Sequence, residues 1–213
     1  MRLEIGLRII DVTEMVSSLN QIARRRKRKA WWRMVVKPAS TMEAILAVAK
    51  GKGGLGIGAL MGIAQVANIP LLYPGDGNSS GEVFSWILVV GPVAGWALLW
   101  LGGWVVWKLG LVLFSGQGNA HAIRLALGWG AIPMIWSLVI WFPLILFFWG
   151  EGFLEVVHTL RFLFGGVTVW TLISVSIAVG VAHRISVWKA VACLVLTFSL
   201  LSLPLSFLVG PPG

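Results

Sequence analysis

The stretch Phe84–Phe114, FSWILVVGPVAGWALLWLGGWVVWKLGLVLF, runs for 31 residues with a single charge, Lys108. A hydrocarbon core about 30 Å thick needs about 20 residues of helix at 1.5 Å each, so this stretch crosses a bilayer with length to spare. The whole 213-residue chain follows suit: 58% hydrophobic, 12% charged and a mean hydropathy of +0.88. A soluble domain carries about 25% charged residues, and that class is excluded. Working outward from Phe84–Phe114, four more apolar stretches of spanning length follow Lys52: about Gly53–Leu72, Ala122–Trp149, Phe162–Ala182 and Val187–Val209. The first is the weakest, being glycine-rich and holding Gln65 and Asn68. The second and third exceed one crossing, and the excess is taken up by tilt or by kinks at Pro92, Pro133 and Pro143; Pro204 is expected to bend the fifth near its end. The fold class is therefore all-α: a polytopic membrane bundle of five transmembrane helices, residues 53–213, preceded by cytoplasmic amphipathic helices in residues 1–52.

That first segment holds most of the basic side chains. Glu4, Arg8, Asp11 and Glu14 interrupt its apolar start, which argues against a removed signal peptide. Ile5, Ile9, Val12, Val16 and Leu19 recur at steps of four and three, the spacing of one helix face, although Leu3, Ile5, Leu7 and Ile9 also alternate as in a strand. Arg24, Arg25, Arg26, Lys27, Arg28 and Lys29 follow, then Trp31, Trp32, Arg33 and Lys37. Such a run neutralises phosphate, whether of lipid or of nucleic acid. Its position between an amphipathic helix and two tryptophans, which favour the headgroup level, selects anionic lipid over nucleic acid, and the same cluster could dock an acidic partner. Pro38 then punctuates the chain, and Ser40-Thr41-Met42-Glu43 has the spacing of a capping box that would open a second surface helix with Met42, Ile45, Leu46 and Ala49 on one face.

Charge in the connections sets the orientation. Tyr73–Glu82 contains acids and no Lys or Arg; Lys108 and Arg124 flank the next connection; Gly150–Arg161 carries Glu151 and Glu155; His183–Lys189 is basic. Alternation then puts the N-terminus in the cytoplasm and Gly210–Gly213 outside, in a multi-pass protein of the cell inner (plasma) membrane.

Gly54, Gly58 and Gly62 are spaced to share one helix face, a pattern that lets a second backbone approach, in the same chain or in another subunit. Ser174, Ala178 and Ala182 form a similar small face. Trp96, Trp100, Trp104 and Trp107 make a stripe with no histidine in the span to ligate a cofactor, so aromatic packing is the reading and no cofactor is expected. Catalytic and metal sites are likewise not expected: no Asp or Glu falls centrally in a span, His158 is placed opposite His121 and His183, and Cys193 has no second cysteine. The run Ser115–Asn119 lacks the Lys and Ser/Thr of a phosphate loop and reads as a turn.

Trp32 with Pro38 and a following Ser/Thr-initiated helix, five spans, and Gly128-Trp129-Gly130-Ala131-Ile132-Pro133 in the third together resemble the Yip (Ypt-interacting protein) domain family, from about Trp31 to the C-terminus. The family-like motif residues are Trp32, Pro38, Gly128, Trp129 and Pro133. The resemblance implies a non-enzymatic accessory or scaffold protein that binds or organises another membrane component, such as an ABC-type export system; a membrane-protein partner or a homo-oligomer is expected. Two other readings stand beside it. Gly128, Gly130, Pro133 and Pro143 could open the third span for transport of an ion, small molecule or lipid, and the N-terminal amphipathic segment could shape membrane curvature.

Overall fold

A computed structural model of the chain describes residues 30–48, 54–67, 80–148 and 153–209. Among them there is no strand. The helices are α1 (residues 30–36), α2 (Pro38–Val48), α3 (Gly54–Ala67), α4 (Ser80–Ala97), a π-helical turn (Leu98–Gly102), α5 (Gly103–Phe114), α6 (Ala120–Gly130), α7 (Ile132–Phe148), α8 (Phe153–His183) and α9 (Val187–Val209). Three stretches are long and apolar enough to cross a membrane: Leu88–Phe114, Ala120–Ile140 and Phe162–His183. Gly56–Val66 and Val187–Ser202 are shorter apolar helices. The expected amphipathic helix of residues 5–19 and the basic run Arg24–Lys29 lie outside the described residues.

The long helix α8 is the strut of the bundle, packed against α2, α6, α7 and α9. Its two halves differ. From Ser174 to His183 no side chain is exposed, whereas Phe162, Leu163, Val169, Trp170, Leu172 and Ile173 all are, Phe162 to 90%. Water would penalise that outer surface by burial lost, at about 25 cal/mol per Å² of apolar area; lipid does not. On the opposite flank α3 pairs with α4, and α5 bridges α6 and α9.

The α3–α4 contact rests on glycine. A Cβ on Gly62 would collide with the Gly91 carbonyl oxygen and stand 2.6 Å from the Gly95 Cα, and one on Gly91 would stand 2.9 Å from the Ile63 Cα. Without side chains at these positions the backbones meet directly, the arrangement that dispersion favours where lipid supplies no hydrophobic drive. Gly58 and Gly62 thus pack within the chain; Gly54 opens α3.

Several boundaries differ from expectation. The third apolar stretch is interrupted at Ala131 (φ −78°, ψ 0°), just ahead of Pro133. Proline has no N–H to give the Trp129 carbonyl, and the Ala131 N–H turns back to Leu127 and Trp129 instead, so a new helix starts at Ile132. Pro92 sits inside α4, and the irregularity comes later, at the π turn. Such a turn resets the face a helix presents; here Gly103 is placed against Arg124 and Leu127 of α6. The connection expected at Gly150–Arg161 is helical from Phe153 onward. The capping box does not form: α2 begins at Pro38, and the Ser40 and Thr41 hydroxyls donate back to the Lys37 carbonyl (3.5 and 2.8 Å). Met34 and Met42 are fully buried in the same core as Ile57, Ile123, Ile132 and Val179.

Most hydroxyls inside the apolar helices are absorbed locally, although the Ser174 hydroxyl of α8 is buried with no partner among the described residues. Ser137 donates to the Met134 carbonyl, Thr171 to Val167, Ser176 to Leu172 and Thr197 to Cys193, at 2.6 to 2.8 Å. Donation to the i−3 or i−4 carbonyl lets a span carry Ser and Thr without an unpaired donor.

Candidate functional site

The short helix α1 reads Ala30-Trp-Trp-Arg-Met-Val-Val36 and stops because Lys37 precedes Pro38, whose ring disfavours α geometry in the residue before it. The Lys37 N–H closes the last turn on the Arg33 carbonyl at 2.7 Å. Helix ends leave carbonyls unpaired, and one of these is taken from across the bundle: the Trp170 indole N–H of α8 donates to the Val35 carbonyl at 3.0 Å. Two ring contacts complete the clamp. Trp32 lies over Trp136 of α7, centroids 4.7 Å apart, and Trp31 meets Trp129 of α6 at 5.9 Å. Each such pair is worth about 0.5–1.5 kcal/mol beyond the area it buries.

Met34 points into the core, and the opposite face looks outward. Trp32 is 62% exposed and Val36 69%, and together with Arg33 and Lys37 they line an open groove of about 300 Å³. The i, i+4 spacing sets two apolar side chains beside two cations. Neither Arg33 nor Lys37 forms an ion pair among the described residues; Glu43, exposed, is the only carboxylate whose side chain is described.

Of the family-like motif residues, Trp32 and Trp129 are brought to this clamp from about a hundred positions apart in sequence. Trp31 contacts Trp129 within the Gly128–Pro133 segment and Trp32 contacts Trp136 just beyond it, Pro38 and Pro133 are buried, and Gly128 receives Ile57 of α3. The break at Ala131 is packed shut. Residues 130–135 are all buried, Val175 Cα lies 2.6 Å from where a Gly130 Cβ would stand, and the Ala131 carbonyl accepts from Met134 and Ile135.

Depth along the bundle can be measured on α8. Trp170 lies thirteen residues from His183, about 20 Å at 1.5 Å per residue. The Trp170 contact therefore sets α1 against α8 at about that distance from the His183–Lys189 connection.

At the His183 end is a second arrangement that the spacing of residues did not reveal. The segment Ser115–Asn119, expected as a plain turn, closes over a fully buried histidine. A Cβ on Gly110 or Gly116 would press on the His183 ring (2.6 Å from Cε1 and from Nδ1), and one on Gly118 would stand 2.6 Å from the Ala182 carbonyl oxygen. Gln117 N–H donates to the His183 carbonyl and Trp107 Nε1 to the Gly118 carbonyl, both at 2.9 Å. Left-handed Ser115 (φ 55°) and Arg184 (φ 56°) end α5 and α8, and Asn119 caps α6 by accepting from Ala122 N–H at 2.8 Å. Among the described residues no polar partner within hydrogen-bond geometry reaches Nδ1 or Nε2. The signal in the sequence was the glycine set itself, whose bulky counterpart could not be picked from three histidines.

The tryptophan stripe divides in two. Trp96, Trp100 and Trp104 are exposed, while Trp107 turns inward to Gly118. The Arg124 guanidinium stacks on Trp100 with Cζ 3.8 Å from the ring centroid, a cation–π contact that lets a cation sit beside an apolar helix. His121 is exposed and His183 buried; His158 lies outside the described side chains. Among the described residues no three His, Cys, Asp or Glu side chains gather. Compared with known proteins, the chain matches no family model, no curated protein and no solved structure.

Proposed function

We propose that this chain is a five-span protein of the inner (plasma) membrane, N-terminus inside and C-terminus outside, that performs no catalysis and acts by binding or organising another membrane component. The Yip-domain resemblance carries the same reading, with an ABC-type exporter as one class of partner. The observation that supports it best is the tryptophan clamp: α1 is held against α6, α7 and α8 by two ring contacts and an indole hydrogen bond, while its basic and aromatic face is left outward. A rigid support beneath a charged face that is exposed among the described residues suits recognition. The rival, transport through a broken third span, draws on discontinuous helices opening carbonyls to a cavity, whereas the Ala131 break is filled by Val175 and its own helix.

The test is a gentle solubilisation of native membranes followed by affinity capture of this chain and mass spectrometry of what accompanies it. A stoichiometric membrane protein supports the reading. Recovery of the chain alone or only with itself, together with ion or lipid flux in liposomes of purified protein, would replace it with the transport reading.

A further inference from the structure

The enclosure of His183 leaves the polar atoms of its ring out of the hydrogen bonding. The ring is fully buried, and among the described residues neither Nδ1 nor Nε2 has a partner, whereas buried polar atoms are almost always paired. Glycine is the cause. A Cβ on Gly116 would stand 2.6 Å from Nδ1 and one on Gly118 3.1 Å from it, while Gly110 lies against Nε2. Both nitrogens thus face glycine positions, which bring no side chain to share a proton. The cover is one layer of chain thick: Gly116 is buried, and Ser115 and Gln117 on either side of it are exposed. Three hydrogen bonds of 2.9 Å hold it down, from Gly116 N–H to the Gly110 carbonyl, Gln117 N–H to the His183 carbonyl and Trp107 Nε1–H to the Gly118 carbonyl. It meets α5 and α8 at two residues in the left-handed region that side chains avoid, Ser115 (φ 55°) and Arg184 (φ 56°). The charged or titratable groups described on the elements around the ring are Glu43 of α2, Lys108 of α5, His121 and Arg124 of α6, Lys189 of α9 and Arg184 itself, and α7 has none in its sequence. None of them bonds to a ring nitrogen.

We infer that the Ser115–Asn119 segment is an acid-released latch, closed over the neutral His183 ring and opened when that ring takes up a proton. The inference goes beyond the binding role proposed above and holds whichever component the protein binds. An imidazolium carries an N–H on both nitrogens and a full charge. In the closed cradle both nitrogens are buried against glycine, so the charged ring is satisfied only when the cover lifts and water reaches it. Lifting it releases the Gly118 carbonyl from Trp107 and the Gln117 N–H from the His183 carbonyl, and so uncouples the connection between α5 and α6 from the end of α8. Segments held by few bonds open locally without unfolding the rest. The sign follows from which form binds the proton. The open form does, with the ordinary imidazole pKa of about 6.5, and the closed form does not. Closure is at full strength above about pH 6.5 and weakens about tenfold per pH unit below it, so between pH 7.5 and pH 5.0 the open-to-closed ratio rises about 30-fold.

The experiment follows hydrogen–deuterium exchange of the Gly116 and Gln117 amides in the full chain, purified in mild detergent, from pH 7.5 to pH 5.0, with each rate corrected for the intrinsic pH dependence of exchange. The wild type is expected to lose about 30-fold in protection at these two amides. H183F, which keeps a ring, and H183N, which is smaller, cannot take up the proton and should lose less than about twofold over the same range. H121Q, which removes the exposed histidine of α6, should behave as wild type. Constant protection of the wild type across the range would overturn the latch, and so would an equal loss in H183F or H183N, or abolition of the loss in H121Q. A second measurement needs no change at His183: the ¹³Cε1 resonance of His183, identified in the H121Q/H158Q chain, should pass from its neutral to its charged position over the same pH range in which the two amides lose protection. A ring that charges while the amides stay protected would show that the closed cradle accepts the imidazolium, and the inference would fall.

Discussion

Replacing Gly62 by Ala tests the packing on which the α3–α4 half of the bundle depends. The new methyl would overlap the Gly91 carbonyl oxygen and stand 2.6 Å from Gly95 Cα. Ordinary contact begins near 3.4 Å, so the two helices must separate by about 1 Å, and all the atoms are backbone, with no rotamer to absorb the shift. A gap of 0.5–1 Å already forfeits a quarter to a half of each dispersion contact along the seam, and overpacking of this kind costs about 1–3 kcal/mol. Against this, Ala is favoured over Gly in a helix by about 1 kcal/mol. The net expectation is a loss of about 0–2 kcal/mol, with the upper end favoured because the obstruction is backbone. Gly56→Ala is the matched control: same helix, same substitution, and nothing within 4 Å of the new methyl. It should be neutral or stabilising by up to about 1 kcal/mol. The assay is reversible unfolding in mixed micelles of increasing denaturing-detergent fraction, followed by tryptophan fluorescence. If Gly62→Ala proves as stable as Gly56→Ala, the glycine face does not pack within the chain. Dissociation of an oligomer by Gly62→Ala, with the monomer unchanged, would assign that face to a second subunit.

Three further outcomes are expected. Gly116→Ala brings a methyl within 2.6 Å of His183 Nδ1 and should destabilise by about 1–3 kcal/mol; His183→Ala makes room for it, and the double-mutant cycle should show coupling of at least about 1 kcal/mol, whereas additivity would mean that the loop does not close on the ring. Trp170→Phe keeps an aromatic ring but removes the donor to the Val35 carbonyl; a loss of about 1 kcal/mol should speed tryptic cleavage after Arg33 by about fivefold, and an unchanged rate would deny the indole its part in the clamp. Cys193 is fully buried, so a maleimide should label it only on unfolding, at the rate of the transition, and rapid labelling of folded protein would show that α8 and α9 are not packed as described.

What could be read in advance follows from which forces are local. Whether a residue prefers lipid to water belongs to its own side chain, and the apolar stretches therefore foretold helices closely: the last was expected at Val187–Val209 and lies there, and the second ends at Phe114 as expected. Gly58 and Gly62 were recognisable as a contact face for the same reason, because 3.6-residue periodicity places them together in any helix.

Local preference does not say where a long apolar stretch bends, nor what it meets. Pro92, Pro133 and Pro143 were equal candidates for a kink, and only one break falls beside a proline, at Ala131, where Gly130 has to pass Val175. The capping-box spacing at Ser40–Glu43 was outweighed by Pro38, which opens the helix two residues earlier. The largest difference concerns α1 and α2. Composition gave no sign that Met34 and Met42 join the core, or that Trp129, Trp136 and Trp170 converge on α1 from three other helices. Hydropathy, charge and helical period are properties of a chain in its solvent, so the sequence by itself determined an all-helical, lipid-compatible protein. Which ring stacks on which, which glycines close over His183 and which side chains of α1 enter the core depend on distances between residues far apart in the chain, and those only the packing of the helices decided.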